Sequence, residues 1–236
     1  MQVRSYKTYW GYDLLSEYIQ LSLLGEGGFG KVILAQHKAT QLKVAIKLID
    51  KQHLEKTFAT CGETPQEVKL LKEVTASKCR STLQLIDYSE DQDNHAIVTQ
   101  YMPGLSLYDY VLELGVFPLS EIRVTEIIRQ IAEGIQDLHH LRIVHRDIKL
   151  GNILMSDMSA NASACIADFG SATKLESPTD TLTWRIGTKG SIAPEIILGK
   201  PYSYGVDVWS LGALTHCLLF ATFPFQEKNQ SQKVQE

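Results

Sequence analysis

Several features that define other protein classes are scarce or missing in this 236-residue sequence. Cysteine is sparse: Cys61, Cys79, Cys165 and Cys217 are scattered and form no C-x-x-C pair, which excludes a disulfide framework and a zinc knuckle and predicts reduced thiols. There is no basic surplus. Lys and Arg number 23 against 27 Asp and Glu, a formal charge of −4 that argues against broad nucleic-acid binding. Met1 to Lys7 hold no apolar leader run, and Gln2 stands where a myristoylated chain carries glycine. No long apolar run is uninterrupted. The most apolar stretch, 206–225, is broken by Asp207 and His216 and closed by Pro224, which predicts a buried helix instead of a membrane span. The expected setting is the cytoplasm, with the nucleus second, and neither nucleic acid nor membrane is an expected partner. Internal repeats and low-complexity tracts are also missing.

What is present is the makings of an ordinary core, with 44 % apolar and 21 % charged residues. Strands are predicted over 18–24, 32–35, 44–49 and 97–99. Thr64-Pro65 opens a helix with Val68, Leu71, Lys72 and Val74 at helical spacing. From Ser120, an N-cap hydroxyl followed by Glu121, residues Val124, Ile127, Ile128, Ile131, Ile135 and Leu138 fall on one helical face over about five turns. Residues 159–163 read as a hairpin loop. A strand-rich first part and a helix-rich second part predict an α+β chain of two lobes.

Gly25-Glu-Gly27-Gly-Phe-Gly30 fits G-x-G-x-x-G. A dinucleotide fold would place a helix directly after it and an acidic residue about twenty positions on. Here the strand formers Lys31 to Ala35 follow, and Lys47 lies within the next strand. The pattern is therefore a glycine-tipped hairpin whose amides approach phosphates, and a dinucleotide-dependent oxidoreductase fails on this topology. The bland alternative is a loose surface turn.

His145-Arg-Asp147-Ile-Lys149-Leu-Gly-Asn152 follows the long helix, and Asp168-Phe-Gly170 comes later. With the glycine hairpin and Lys47, these motifs resemble the eukaryotic protein kinases of serine/threonine type over about residues 20–225. The resemblance implies a two-lobed kinase-like fold, with a small β-rich lobe at 18–102 and a larger helical lobe at 103–225. These are flanked by an N-terminal extension, 1–17, and a polar tail, 226–236. It implies ATP-dependent, magnesium-assisted transfer of the γ-phosphoryl group to serine or threonine hydroxyls of protein substrates. Such transfer spreads negative charge over oxygens, so the residues implied are those that position groups and stabilise charge.

By that resemblance, Lys47 pairs with the α- and β-phosphates and is held by a helix glutamate, for which Glu67 fits best while Glu63 and Glu73 are nearby. Asp147 accepts the substrate proton, Lys149 steadies the transferring group, and Asn152 and Asp168 hold Mg²⁺ through hard oxygen donors. The hairpin residues Leu24, Gly25, Glu26, Gly27, Gly28, Phe29, Gly30 and Lys31 cover the nucleotide. Val32, Ala45 and Leu154 sandwich the adenine, Thr99 guards the back pocket, and Gln100 to Met102 form the hinge. Lys149, together with Gly187-Thr188 ahead of Ala193-Pro-Glu195, follows the serine/threonine pattern. Thr188 is expected near Asp147 and Lys149, and Asp207 is expected to brace the catalytic loop.

The same resemblance implies that Arg146 receives a phosphate added by an upstream kinase to the 168–195 segment, at Ser177, Thr179, Thr181 or Thr183, with Thr183 or Thr181 foremost. The alternative for Arg146 is packing against acidic or backbone oxygens. Ser106 and Gly151 stand where basophilic kinases carry acids, so a strong preference for upstream arginine is not expected. His145 to Asn152 looks most like polo-type kinases, and the rest sits equally near calcium/calmodulin-type kinases.

The resemblance also implies further helices after Phe223-Pro-Phe225 and an arginine partner for Glu195. Their absence from the sequence reads as a C-terminally shortened lobe. On that reading Leu211, Leu214, Leu218 and Phe220 are left partly uncovered. The competing function is an inactive nucleotide-binding or regulatory module.

Overall fold

The computed structural model describes residues 16–27, 30–52 and 64–225. The extension up to residue 15, the tail 226–236, and the individual residues Gly28, Phe29, Cys61 and Glu63 lie outside the described residues. The chain divides into two compact units, one holding 1–75 and 83–101, the other 76–82 and 102–236. The lobe boundary expected after Met102 is thus accompanied by an excursion at 76–82 that clusters with the second unit.

The first unit is built on an antiparallel sheet. β1 (Tyr18–Gly27), β2 (Gly30–His37), β3 (Lys43–Asp50), β4 (Leu85–Glu90) and β5 (Asn94–Gln100) are arranged in the order β1-β2-β3-β5-β4. Alternation decides which face is apolar. Val44, Ile46 and Leu48 of β3 join Ile33 and Ala35 of β2, Ala96 and Val98 of β5, and Tyr18 in one buried cluster. Helix α1 (Gln66–Ala76) begins directly after Pro65, whose carbonyl accepts from Val68 N at 3.0 Å. Val68, Leu71 and Val74 are buried as their spacing predicts. Lys72 is exposed instead, with its ammonium 5.3 Å from the Tyr88 ring centroid.

The second unit starts with α2 (Leu107–Glu113), capped by Ser106 Oγ accepting from Asp109 N, and then α3 (Glu121–His140), capped by Ser120 Oγ accepting from Arg123 N. The α3 stripe Val124, Ile127, Ile131, Ile135 and Leu138 is buried, and Ile128 is half-buried. Gly134 lies on this helix where a Cβ would come within 3.0 Å of Arg80 O and 2.9 Å of Ile166 Cδ1. That close approach lets residues 76–82 lie against α3. Arg80 donates from its backbone N and guanidinium to Asp137, Ser81 O accepts from Ile166 N at 2.7 Å, and Thr82 pairs in parallel with Ile166. The Arg80 hydrogen bonds hold the Asp137 carboxyl below its ordinary pKa.

Two short ladders carry the loops. β6 (Ile143–Val144) pairs with β9 (Thr173–Lys174), and β7 (Ile153–Met155) pairs with β8 (Ala164–Ile166) across the expected 159–163 hairpin loop. After the short α4 (Pro194–Ile197) comes α5 (Gly205–Phe220). Here one expectation fails: Leu214 and Leu218 are not uncovered but only 3 % and 0 % exposed. α5 packs against α3, and Leu218 O accepts from Leu119 N at 2.9 Å, so the stripe through Val206, Ser210, Leu214, Cys217 and Leu218 is interior. Leu211 is half-buried, while Val208 and Phe220 face outward. No helix among the described residues is long and apolar enough to cross a membrane.

Candidate active site

In the first unit, the sheet face opposite the apolar cluster carries the residues singled out for nucleotide binding. Val32 stands opposite Lys47, and Ala45 opposite Thr99, in the strand register. Directly opposed residues share a face, and residues two apart along a strand do too, so Val32, Ala45, Lys47 and Thr99 line one surface. From α1, Glu67 presents both carboxylate oxygens to Lys47 Nζ at 2.9 and 2.8 Å. Glu67 is only 8 % exposed, so this is a desolvated charge-assisted pair that fixes where the ammonium points.

The hairpin glycines have different reasons. At Gly30, with φ of 125°, a Cβ would fall 1.9 Å from Leu48 O, so the β2–β3 packing itself requires glycine there. Gly25 has nothing within 4 Å of the position its Cβ would take, so internal packing does not explain it. Lys31 pairs with Glu26 across the hairpin at 3.5 Å, and Leu24 is exposed beside them. Gln100 N is engaged by Gln84 O at 3.2 Å.

In the second unit, the loop after β6 is pinned from below by a buried carboxylate. Asp207, fully buried near the start of α5, accepts from His145 N at 2.9 Å, Arg146 N at 2.8 Å and His139 Nε2 at 2.9 Å. His145 Nε2 faces Ala167 O at 3.1 Å and its Nδ1 accepts from Asp147 N at 3.3 Å, which assigns the proton to Nε2. Its ring also packs edge-on against Phe169. His145 and His139 are positioning residues that sequence reasoning missed. His145 was legible as part of the quoted motif, whereas nothing at the end of α3 marks His139.

Asp147 is thereby held with its carboxylate in a ring of donors. Thr188 Oγ1 donates to Oδ1 at 2.6 Å, and Asn152 Nδ2 and Lys149 Nζ donate to Oδ2 at 2.9 and 2.8 Å. A carboxylate offers about four lone-pair directions, and these bonds occupy three, leaving one for an incoming hydroxyl. Asn152 Nδ2 also donates to Asp147 O, which turns the amide oxygen of Asn152 away from Asp147. Asn152 O accepts from Ala167 N, so the residue before Asp168 is tied to Asn152. Asp168 adopts a left-handed conformation, φ 60° and ψ 78°. An amide oxygen and a carboxylate are hard oxygen donors that suit Mg²⁺, so the residues present fit that ion. Leu154 lies on β7, and Met102 begins the longer of this unit's two stretches.

Arg146 Nε donates to Ser171 O at 2.7 Å, and a terminal nitrogen lies 3.5 Å from the Tyr202 hydroxyl.

The sequence matches the protein kinase domain over residues 18–236. The chain belongs to the protein kinase domain family. Among the relatives of this kinase domain is a serine/threonine-protein kinase H1 homolog from Pinctada fucata. It is 32 % identical over 231 residues, covering 98 % of this chain and 53 % of the relative. Human serine/threonine-protein kinase H1 is 30 % identical over 232 residues, with 98 % and 53 % covered. A calcium/calmodulin-dependent protein kinase, cmkA, of Emericella nidulans is 32 % identical over 225 residues, with 95 % and 52 % covered. The kinase domain spans about half the length of these curated relatives. Members of this family use ATP, generally with Mg²⁺, and act on proteins.

Proposed function

We propose that the chain transfers the γ-phosphoryl group of ATP to serine or threonine hydroxyls of protein substrates. The observation that carries this reading is the donor ring around Asp147, built from Lys149, Asn152 and Thr188. Asp147 accepts the proton of the attacking hydroxyl at its remaining lone pair, while Thr188 and Asn152 hold the carboxylate in orientation. Lys149 lies beside that carboxylate and meets negative charge as it develops on the transferred group. Lys47, aimed by Glu67, binds the α- and β-phosphates. By the same reading the nucleotide-binding residues are Leu24, Gly25, Glu26, Gly27, Gly30, Lys31, Val32, Ala45 and Gln100 of the first unit, and Met102 and Leu154 of the second. Asn152 and Asp168 would hold Mg²⁺, which neutralises phosphate charge when bound.

Full activity also calls for a phosphate on the 168–195 segment, placed by an upstream kinase on Thr183 or Thr181, both of which are exposed. We assign the chain to the cytoplasm or nucleus, in keeping with its reduced, buried Cys79, Cys165 and Cys217.

The test is transfer of labelled γ-phosphate to a mixed protein substrate with Mg²⁺, followed by phosphoamino-acid analysis and run beside Asp147→Asn. Phosphoserine or phosphothreonine that falls about 10²–10⁴-fold in the variant is the expected result. Equal labelling by both proteins refutes the assignment of Asp147.

A further inference from the structure

Lys72 is the residue of the predicted α1 stripe that the core does not bury, and what it meets lies on the edge strand β4. Its ammonium stands over the Tyr88 ring, 5.3 Å from the centroid, within the range of a cation–π attraction. The Tyr88 hydroxyl reaches the approach to the same helix. Burial raises its pKa first and Glu90 adds to that, while a hydrogen bond from Thr64, just ahead of Pro65, pulls it down. A third tie joins the far end of the helix, where Leu85 N donates to Thr75 Oγ1 at 2.8 Å. β4 thus touches α1 before its first turn, midway and in its last turn.

Tyr88 is itself held from behind. The buried His95 of β5 stacks on its ring, with centroids 6.1 Å apart and planes inclined by 22°. His95 Nδ1 also lies 2.8 Å from the Tyr88 hydroxyl, so the ring cannot swing without losing both contacts. Neither side chain takes part in the reaction described above. The helix they grip carries Glu67, whose carboxylate meets Lys47 Nζ at 2.9 and 2.8 Å. At 3.6 residues per turn, Lys72 lies about 140° around the helix axis from Glu67. The apolar contacts of Val68, Leu71 and Val74 hold α1 against its neighbours but are non-directional, so they resist rotation about that axis weakly. Two directional ties set so far apart around the axis fix the rotation.

We infer that Tyr88 is a positioning residue for nucleotide binding: gripping α1 through Lys72 and Thr64, it sets the rotation of the helix and so the aim of Glu67 at Lys47. The inference rests on the proposed role of Lys47 at the α- and β-phosphates. All of these residues belong to the first unit.

The primary readout is equilibrium binding of a fluorescent ATP analogue with Mg²⁺, which requires no phosphotransfer. Lys72→Met keeps a long side chain at an exposed position and removes the cation. Its Kd should rise about two- to fivefold, the equivalent of one exposed cation–π contact. Tyr88→Leu should raise Kd at least as much, Tyr88→Phe should stay closer to the unaltered protein, and Tyr88→Leu with Lys72→Met should be no worse than Tyr88→Leu alone. In a Glu67→Gln background neither substitution should weaken binding further, because the carboxylate that they aim has lost its charge. A mere loss of stability would not vanish in that background. With a peptide substrate, the KM for ATP should rise while kcat changes little. If melting shows that Tyr88→Leu is damaged in its fold, Lys72→Met decides the matter. An unchanged Kd in Lys72→Met, or the same loss of affinity with and without Glu67→Gln, would overturn the inference. Nucleotide affinities in the expected order without any phosphotransfer would refute the activity and keep the role of Tyr88. Failure of the unaltered protein to bind nucleotide would overturn both.

Discussion

Thr188 Oγ1 sits between opposite charges: it donates to Asp147 Oδ1 at 2.6 Å and accepts from Lys149 Nζ at 2.8 Å. A single hydroxyl, more than thirty positions downstream of both partners, therefore holds the expected base and the expected cation in one arrangement. Thr188→Ala removes a hydrogen bond to each charged group, and bonds of that kind contribute about 1.5–3 kcal/mol. We expect kcat for peptide phosphorylation to fall roughly 10–100-fold with little change in the KM for ATP. Thr188→Ser keeps the hydroxyl and should restore most of the loss. A steady-state comparison of the two variants checks this, and equal defects would show that the methyl group matters, not the hydroxyl.

Glu67 holds Lys47 through two bonds of 2.9 and 2.8 Å. Glu67→Gln preserves shape but removes the countercharge, so the ammonium loses its fixed aim. The thermal stabilisation produced by ATP is expected to shrink, and the KM for ATP to rise about tenfold. Differential scanning fluorimetry with and without nucleotide reads the first effect. An unchanged ATP shift would show that the pair does not orient the lysine.

Asp207 is the buried acceptor for the backbone N–H groups of His145 and Arg146. Asp207→Ala leaves both donors buried without that partner, at about 1–3 kcal/mol each. Chemical denaturation should show the unfolding midpoint lowered accordingly, and phosphotransfer should fall beyond what the unfolded fraction explains. Asp207→Asn, which keeps an acceptor oxygen, should lose less.

His95 on β5 is 3 % exposed, and its Nδ1 faces the Tyr88 hydroxyl at 2.8 Å. Burial, with Lys51 adding to it, lowers its pKa, against the opposing pull of Glu90 and Asp91. Although Glu90 lies 3.4 Å away, the depressed value means the folded chain holds this imidazole neutral near pH 7. A group whose folded pKa is depressed contributes stability above its unfolded pKa, about 6.5 for histidine, and loses it as pH falls toward the folded value. The unfolding midpoint should therefore drop below about pH 6.5. The drop should be shallower in His95→Gln, and parallel pH profiles would count against the assignment.

Ser177, Thr179, Thr181 and Thr183 lie in the segment whose phosphate Arg146 would receive. In the present state Arg146 Nε is bonded to Ser171 O instead. Replacing all four by alanine should hold activity at its low, unphosphorylated level after treatment with cell extract and ATP. Full activity in that variant would remove the activating phosphosite from this segment.

The elements legible in the sequence were those whose pattern serves a single buried face. β3 announced itself through Val44, Ile46 and Leu48, and α3 through the stripe from Val124 to Leu138. β4 was not legible, because Leu85-Ile-Asp-Tyr-Ser-Glu90 is an edge strand that is half polar, with Ile86 pointing outward. α2 is only seven residues long, yet Ser106 with Asp109 three positions later is a capping signal that could have found it. The uncovered face expected on α5 failed at Leu214 and Leu218 because a helix with apolar residues on every side does not reveal which side its neighbour covers. At the site, the motifs supplied Lys47, Asp147, Lys149, Asn152 and Asp168. The tie between Arg80 and Asp137 depends on tertiary packing that no local spacing records.

The excursion at 76–82 has a consequence for dissecting the molecule. A polypeptide that begins at 102 would carry α3 and β8 but leave Ile166 N without Ser81 O, Asp137 without Arg80, and the notch at Gly134 empty. Neither unit is a contiguous stretch of sequence, so no single cut separates them cleanly. Removing everything before 102 also strips the second unit of a piece of its own packing.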